Sequence, residues 1–380
     1  MNTSLPIVQT QTPPDIIDLG LGDPPPSLLP LDLIRASAQA QFSQNDNSFL
    51  QYGAEQGNGY FRLALAGFLR KGHGFDVQPE SLFITNGISK ALDLICTLFT
   101  QAGDTIFVEE PSYFLALKIF ADHRLQVVPI ETDEDGLIIE SLLEKLTKYK
   151  PRLLYTIPTH QNPSGRTLTG ARRARLIELS QQFDFLILAD EVYQLLNYSG
   201  KPPESFGAYT HIENVIALGS FSKILAPGLR LGWLQAHPNR INRLVTCGLL
   251  DSGGGLNPFT SAVVRGVVES GDLEKNIDEL IEVYRSRLAF MDLSLRKHLP
   301  EVTYSIPRGG YFFWVRLPEG MDATEFRSKA KVFKVDIRQG TLFSSQNGLK
   351  DYMRLCFVFH EEVKIEEGIL RLKESLQRNF

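Results

Sequence analysis

The patterning of this chain predicts an α/β fold: a mostly parallel central sheet with helices on both faces, followed by a smaller α+β lobe. Three features carry that prediction. From about Ser81, short apolar runs alternate with helical patterns, the rhythm of a parallel sheet buried on both sides. From about Phe259 to His298 the pattern is long, helical and increasingly charged, which suits a connection between two lobes. Beyond it, strand-like and helical runs mix as they do in a compact α+β unit. The boundaries that follow are a large domain over 46–275 and a small domain made of 1–45 and 276–380.

Taken in order, the first thirty residues are loop-like and end in the turn-rich DPPPSLLP. SLFIT then reads as a strand and NGISKALDLICTLF as the helix behind it, and DTIFVEE with PSYFLALKIFADH repeats the pair. LQVVPI leads to a helix near ESLLEKLTKYK, and RLLYTIP to the helix TGARRARLIELSQQFD. FLILADEVY, NVIALGS and LRLGWLQA follow as strands. In the last third VTYSIP, GGYFFWVRL and DYMRLCFVF read as strands, with helices over DATEFRSKAK and at the C-terminus.

Composition narrows the function. With 380 residues, 43% hydrophobic and 22% charged, the chain has the make-up of an ordinary globular protein with a sizeable core. The formal net charge of -5, with basic residues scattered, argues against nucleic acid or an anionic membrane as main partner. MNTSLPIVQTQTPPD has neither the basic start nor the apolar stretch of a secretory signal, and no apolar run approaches a membrane span. Cys96, Cys247 and Cys356 stand singly in apolar surroundings, which predicts a reduced, cytoplasmic protein without a disulfide frame. The seven histidines show no ligand spacing, so no metal is expected.

Ligands of such sheets bind beyond the carboxyl ends of the strands. Asp190 closes the apolar run FLILAD, where a carboxylate is partly desolvated and wants a cation, although Asp is also a common cap. Tyr193 follows it into the same region. In ITNGISKAL, Gly87 permits close backbone approach and opens a helix at Ile88, Ser89 and Lys90, whose free N–H groups suit a phosphate. HQNPSG carries Asn162 at another strand end, in a pattern shared with plain turns. In GSFSKILAPGLRLGW, Lys223 and Arg230 are either surface charges or a reactive amine and a phosphate-binding fork. Arg354 is isolated among apolar neighbours in DYMRLCFVF; Asp351 or a ligand carboxylate can satisfy it. Ser220 to Lys223 also fits the S-x-x-K of penicillin-recognising enzymes, but Pro227-Gly228 disfavour the helix start it needs and its companion motifs are absent. The glycine spacing of a nucleotide-binding loop is missing before Lys223, and GLGDPP lacks the third glycine of a dinucleotide fingerprint.

In this order SFSKxxxPGLRLGW, NPSG and DEVY resemble the aspartate-aminotransferase-like, fold type I family of pyridoxal-phosphate (PLP) enzymes. The resemblance runs from about Leu19 to Phe359 and looks closest to the kynurenine and 2-aminoadipate aminotransferases. It implies Lys223 as Schiff-base lysine and general base, with Asp190 paired to the pyridinium nitrogen. It implies Tyr193 and Asn162 at the phenolic oxygen of the ring and Tyr113, in EEPSY, stacked on its face. Ser220, Ser222 and Arg230, with the helix start at Ile88 and Ser89, would hold the phosphate. Arg354 would clamp the substrate α-carboxylate, with Gly22 and Asn162 beside it. Tyr52, in QYGAEQG, matches a tyrosine that reaches the neighbouring subunit's phosphate, so a homodimer is implied. The implied reaction is ping-pong transfer of an amino group between an L-amino acid and a 2-oxo acid. A carbon–sulfur β-lyase would use the same residues and is the alternative. A PLP-binding transcription regulator is not expected, since no winged-helix segment or basic patch is visible. Two departures stand out: Ile88 occupies a position where many relatives offer a hydroxyl, and DSGGGLNPF (251–259) is unusually rich in glycine. The latter reads as a substrate-side loop near the interface in preference to a flexible connector.

Overall fold

The computed structural model describes residues 8–9 and 12–377. The chain enters through a short strand, β1 (Ile17–Asp18), and two helices, α1 (Leu31–Phe42) and α2 (Gly59–His73). Asn58 caps α2 by accepting from Phe61 N at 3.0 Å, and Gly74, in left-handed backbone, ends it. The expected alternation follows: β2 (Leu82–Thr85), α3 (Ile88–Phe99), β3 (Thr105–Glu110), α4 (Phe114–Asp122), β4 (Gln126–Asp133) and the short β5 (Gly136–Leu137). It continues through α5 (Ile139–Lys148), β6 (Pro151–Thr156), α6 (Gly170–Phe183), β7 (Leu186–Asp190), β8 (Val215–Ser220) and β9 (Gly232–Ala236).

These strands form one sheet of eight in the order β2-β9-β8-β7-β6-β3-β4-β5. From β8 through β4 all pairs are parallel; β9 runs against both of its neighbours and β5 folds back on β4. β7 and β8 are buried at every position because helices cover both faces, which explains their unbroken apolar sequences. One core fills the face under α3 and α4 and extends into the C-terminal lobe; another lies under α5 and α6. Since β6, β7 and β8 are parallel neighbours, Thr156, Asp190 and Ser220 end at one edge of the sheet.

After α7 (Pro238–Val245) and α8 (Gly248–Gly253), the run expected as one long helix is two: α9 (Pro258–Glu269) and α10 (Asp272–His298). Gly271, with φ +76°, takes the left-handed conformation that ends one helix and starts the next. The C-terminal lobe holds β10 (Thr303–Tyr304), β11 (Phe312–Arg316), α11 (Ala323–Val332), β12 (Val335–Asp336), β13 (Arg338–Gln339), β14 (Tyr352–Cys356) and α12 (Glu362–Gln377). Its antiparallel sheet has the order β10-β11-β14-β13, while β1 pairs in parallel with β12 and ties the N-terminal segment to this lobe. Cys96, Cys247 and Cys356 are buried and unpaired. Among the described residues no helix is long and apolar enough to cross a membrane.

The glycine-rich stretch packs tightly. Gly255 N donates to Gly53 O at 3.0 Å, and a Cβ on Gly254 or Gly255 would overlap the carbonyl of Gly53 or Ala54. Only glycine lets these two segments meet, and residue 53 follows Tyr52 directly. Gly255→Ala is therefore expected to cost about 1–3 kcal/mol, read as a lower denaturant midpoint. An unchanged midpoint would contradict the close packing of residues 53–54 on 254–255.

Candidate active site

Lys223 lies in the turn that leaves β8. Phe221 anchors that turn between the rings of Phe61 and Trp233, at 5.9 and 5.2 Å. Two side chains from distant segments hold its carbonyls: Tyr311 OH donates to Lys223 O at 3.2 Å and Asn276 Nδ2 to Ile224 O at 2.8 Å. So fixed, Lys223 Nζ donates to Gly22 O at 2.6 Å, lies 3.8 Å from Asp23 Oδ1 and stands over the Tyr311 ring at 5.3 Å. Burial lowers the pKa of the amine, and the Asp23 charge opposes that shift in part.

Asp190 ends β7 and is buried. Its Oδ2 accepts from Tyr155 OH on the adjacent β6 at 2.8 Å, and its Oδ1 accepts weakly from Val192 N at 3.3 Å. Among the described residues no basic side chain forms an ion pair with it, and burial pushes its pKa up to about 6. Tyr193, also buried, packs its ring on Tyr311 at 5.4 Å and on Phe312 at 6.2 Å. Tyr155 escaped the sequence reading because RLLYTIP looks like plain core. Only the register of β6 against β7 puts its phenol beside Asp190.

Arg354, on β14, is 3% exposed. One terminal nitrogen donates to Asn162 Oδ1 at 2.8 Å and the other to Gly20 O at 2.8 Å, while Nε has no partner. The guanidinium lies over Phe312 at 3.9 Å and Phe343 at 5.0 Å. Asp351, the carboxylate nearest in sequence, pairs with Arg316 at 2.6 Å instead. Among the described residues Arg354 forms no ion pair, and burial lowers its pKa to about 10. A Cβ on Gly22 would come within 3.2 Å of the Phe312 ring and 3.5 Å of the guanidinium, so glycine keeps the backbone close to the arginine.

At the start of α3, Gly87 has φ +81° and no side chain caps the helix. The Arg230 guanidinium lies across this glycine, 3.1 Å from where a Cβ would stand, and among the described residues its hydrogen bonds reach only the carbonyls of Asn86 and Pro227, at 3.5 and 3.3 Å. Ser220 Oγ bonds Ser222 Oγ at 3.0 Å. Ile88 is partly buried and Ser89 exposed in the first helical turn. A helix start, a guanidinium and hydroxyls together make a corner suited to a dianion. Tyr113, half-buried just before α4, feels the charges of Arg354, Asp190, Asp23 and Arg230, which places it centrally in the cleft; burial pushes its phenol to about 12. Tyr52 alone stands apart from this cluster, 83% exposed on an outer groove.

A buried carboxylate without a cation, a dianion corner and a lysine amine fit a cationic aromatic ring bearing a phosphate and an aldehyde. The unpaired Arg354 adds a place for a carboxylate. Fold and site together define a PLP enzyme of the doubly wound α/β class. The chain belongs to the aminotransferase class I and II family, whose pattern it matches over residues 14–372; its reaction is transamination and its cofactor is PLP. It is 37% identical over 373 residues to aromatic-amino-acid aminotransferase 1 of Thermococcus litoralis, covering 96% of this chain and 89% of that one. The multiple substrate aminotransferase of Thermococcus profundus superposes with a TM-score of 0.90 at 34% identity, covering 96% of this chain and 92% of that one. The kynurenine aminotransferase of Pyrococcus horikoshii, determined with PMP, gives 0.89 at 36% identity, covering 96% and 91%.

The pKa of Asp190 is raised from 3.8 to about 6 on folding, so the stability it contributes is fully present below about pH 3.8 and lost as pH rises through about 6. Asp190→Asn removes that loss. In PLP-free protein the variant should be more stable than the parent at about pH 8, by about 2–3 kcal/mol, with the gain shrinking toward about pH 4. A difference that does not change with pH would show that the carboxylate is well solvated.

Proposed function

We propose that this site carries out ping-pong transamination between an aromatic L-amino acid and a 2-oxo acid, with Lys223 as the Schiff-base lysine and proton carrier. The observation that carries the reading is Arg354, a buried guanidinium with no carboxylate partner among the described residues, held in the same cleft as the Lys223 amine. PLP, when bound, supplies an electron sink for the charge released at the substrate α-carbon. Asp190 keeps the ring nitrogen protonated, and Tyr155 OH keeps Asp190 oriented. Tyr193 and Asn162 address the phenolic oxygen, and Tyr113 covers the ring. Ser220, Ser222, Arg230, Ser89 and the N–H of Ile88 take the phosphate. Arg354 receives the α-carboxylate through two parallel N–H bonds, with Gly22 and Asn162 lining its approach. Lys223 Nζ, its pKa lowered by burial, is the base that takes the α-proton of the substrate.

The aromatic preference rests on the surroundings of Arg354. Phe343 packs edge-on against Phe114 and Trp314, at 5.3 and 5.6 Å, forming an aromatic wall beside the clamp. Similarity to enzymes named for aromatic amino acids and kynurenine supports it. The assembly we propose is a homodimer. Tyr52, Tyr60 and Leu63 are 60–83% exposed around a groove of about 530 Å³ that Pro258 also lines, an apolar surface a second copy would cover. Tyr52 would then serve the partner's phosphate corner. We assign 46–275 as the PLP-binding domain and 1–45 with 276–380 as the smaller one; the parallel sheet and the β10-β11-β14-β13 sheet fall on either side of that division. Scattered charge and unpaired cysteines support a cytoplasmic location.

Steady-state kinetics with L-phenylalanine and a 2-oxo acid should give parallel double-reciprocal lines. Lys223→Ala should lower turnover by about four orders of magnitude or more. Arg354→Leu should raise KM for the amino acid about 100-fold while the protein still binds PLP. Release of ammonia with no acceptor present, or an Arg354→Leu enzyme with parental KM, would overturn the reading.

A further inference from the structure

Glu109, next to last in β3, is a buried carboxylate without an ion-pair partner among the described residues. Its Oε2 accepts from Ile157 N, just beyond β6, at 3.0 Å and faces Gln161 Nε2 at 3.5 Å. Gln161 is buried too, and all of its polar groups are engaged. Nε2 donates to Pro111 O at 2.6 Å, and Oε1 accepts from Ser164 N at 2.9 Å and Ser164 Oγ at 2.6 Å. Its backbone N–H donates to Arg166 O at 2.8 Å and its carbonyl accepts from Gly165 N at 2.7 Å. The residue it adjoins is Asn162, whose Oδ1 is one of the two acceptors holding Arg354.

We propose that Gln161, braced by Glu109, is a positioning residue that sets Asn162, and through it Arg354, in the orientation that receives the substrate carboxylate. The inference rests on the reading of Arg354 as the carboxylate clamp. Residues 157–166 form an irregular stretch between β6 and α6, so no sheet or helix ladder fixes the direction of Asn162. The Gln161 side chain supplies that constraint, crossing from the β3–α4 junction at Pro111 to its own turn at Ser164. Without it the loop is free to turn Asn162 away, leaving Gly20 O as the one acceptor on the guanidinium. Burial pushes the Glu109 carboxyl to about 7, so above neutral pH it presents an ionised acceptor to the Gln161 amide. The ring slot has a support of its own beside that one: Ser112 N donates to Phe343 O at 2.8 Å next to Tyr113.

The test uses PLP-loaded protein, with L-phenylalanine as donor and 3-phenylpropanoate, which has the carboxylate but no amine, as competitive ligand. Gln161→Leu should raise KM for the donor and the inhibition constant of 3-phenylpropanoate together, by about tenfold, with kcat falling by a clearly smaller factor, since Asn162 also addresses the cofactor's phenolic oxygen. Ser164→Ala, which removes one of the bonds to Gln161 Oε1, should move the same two constants by a smaller factor and serves if Gln161→Leu does not fold. A merely structural role would lower kcat by as much as it weakens carboxylate binding; that result, or unchanged constants in both variants, would overturn the inference. Arg354→Leu separates the two levels. If it abolishes 3-phenylpropanoate binding while Gln161→Leu has no effect, the clamp stands and the brace falls. If Arg354→Leu leaves binding intact, the clamp reading falls and the brace with it.

Discussion

Asp190 is a carboxylate that the fold buries and does not neutralise, and the rest of the site is arranged around that fact. Placing an ionised group in a low-dielectric interior is expensive unless a counter-charge meets it. Here the chain supplies one phenol, from Tyr155, and one long backbone bond, from Val192. Arg354 is the converse case, a buried guanidinium resting on neutral acceptors and two aromatic faces. A fold optimised for stability alone would pair such groups with each other or replace them. Keeping both half-satisfied leaves electrostatic energy that a cationic ring and an anionic substrate, bound as proposed, would recover.

The sheet makes this arrangement possible. Parallel strands buried on both faces admit no polar side chains along their length, so chemistry collects where they end. β7 brings Asp190, β8 leads into the Lys223 turn, and the loop after β6 carries Asn162. The other half arrives from far away in sequence. Arg354 comes from β14, Tyr311 from the residue before β11, and Gly20 and Gly22 from the segment that β1 anchors to the C-terminal lobe. Lys223 is thus held by contacts that bridge the large sheet and that lobe: its amine on Gly22 O, its carbonyl on Tyr311 OH. Relative motion of the lobes would be felt at the Lys223 amine.

Much of this was legible in the sequence. The strand–helix rhythm from Ser81 to Ala236 is dictated by double-sided burial and survives intact in the structure. Residues that announce themselves by incongruity, such as Asp190 closing an apolar strand and Arg354 inside one, are buried, without an ion pair among the described residues. What escaped is what depends on register or on polar side chains that look unremarkable in their own segments. Tyr155 is one apolar-seeming residue in a core strand until β6 lies beside β7. Glu109 and Gln161 lie more than fifty positions apart and meet through the parallel pairing of β3 with β6. The helix break at Gly271 was hidden by amphipathic patterning on both sides of it, although a left-handed glycine was the available sign. The glycines at 254–255 made sense only once residues 53–54 lay across them.

As proposed, one cleft serves as both cofactor seat and carboxylate-guided amine exchanger. The most direct test is the visible spectrum of PLP-loaded protein, followed as an aromatic L-amino acid is added without acceptor and then as a 2-oxo acid is added. The account predicts loss of the lysine-bound chromophore with release of one equivalent of aromatic 2-oxo acid per site, and its return when the acceptor arrives. Failure of the protein to form that chromophore with excess PLP, or a chromophore that persists while ammonia accumulates, would contradict it.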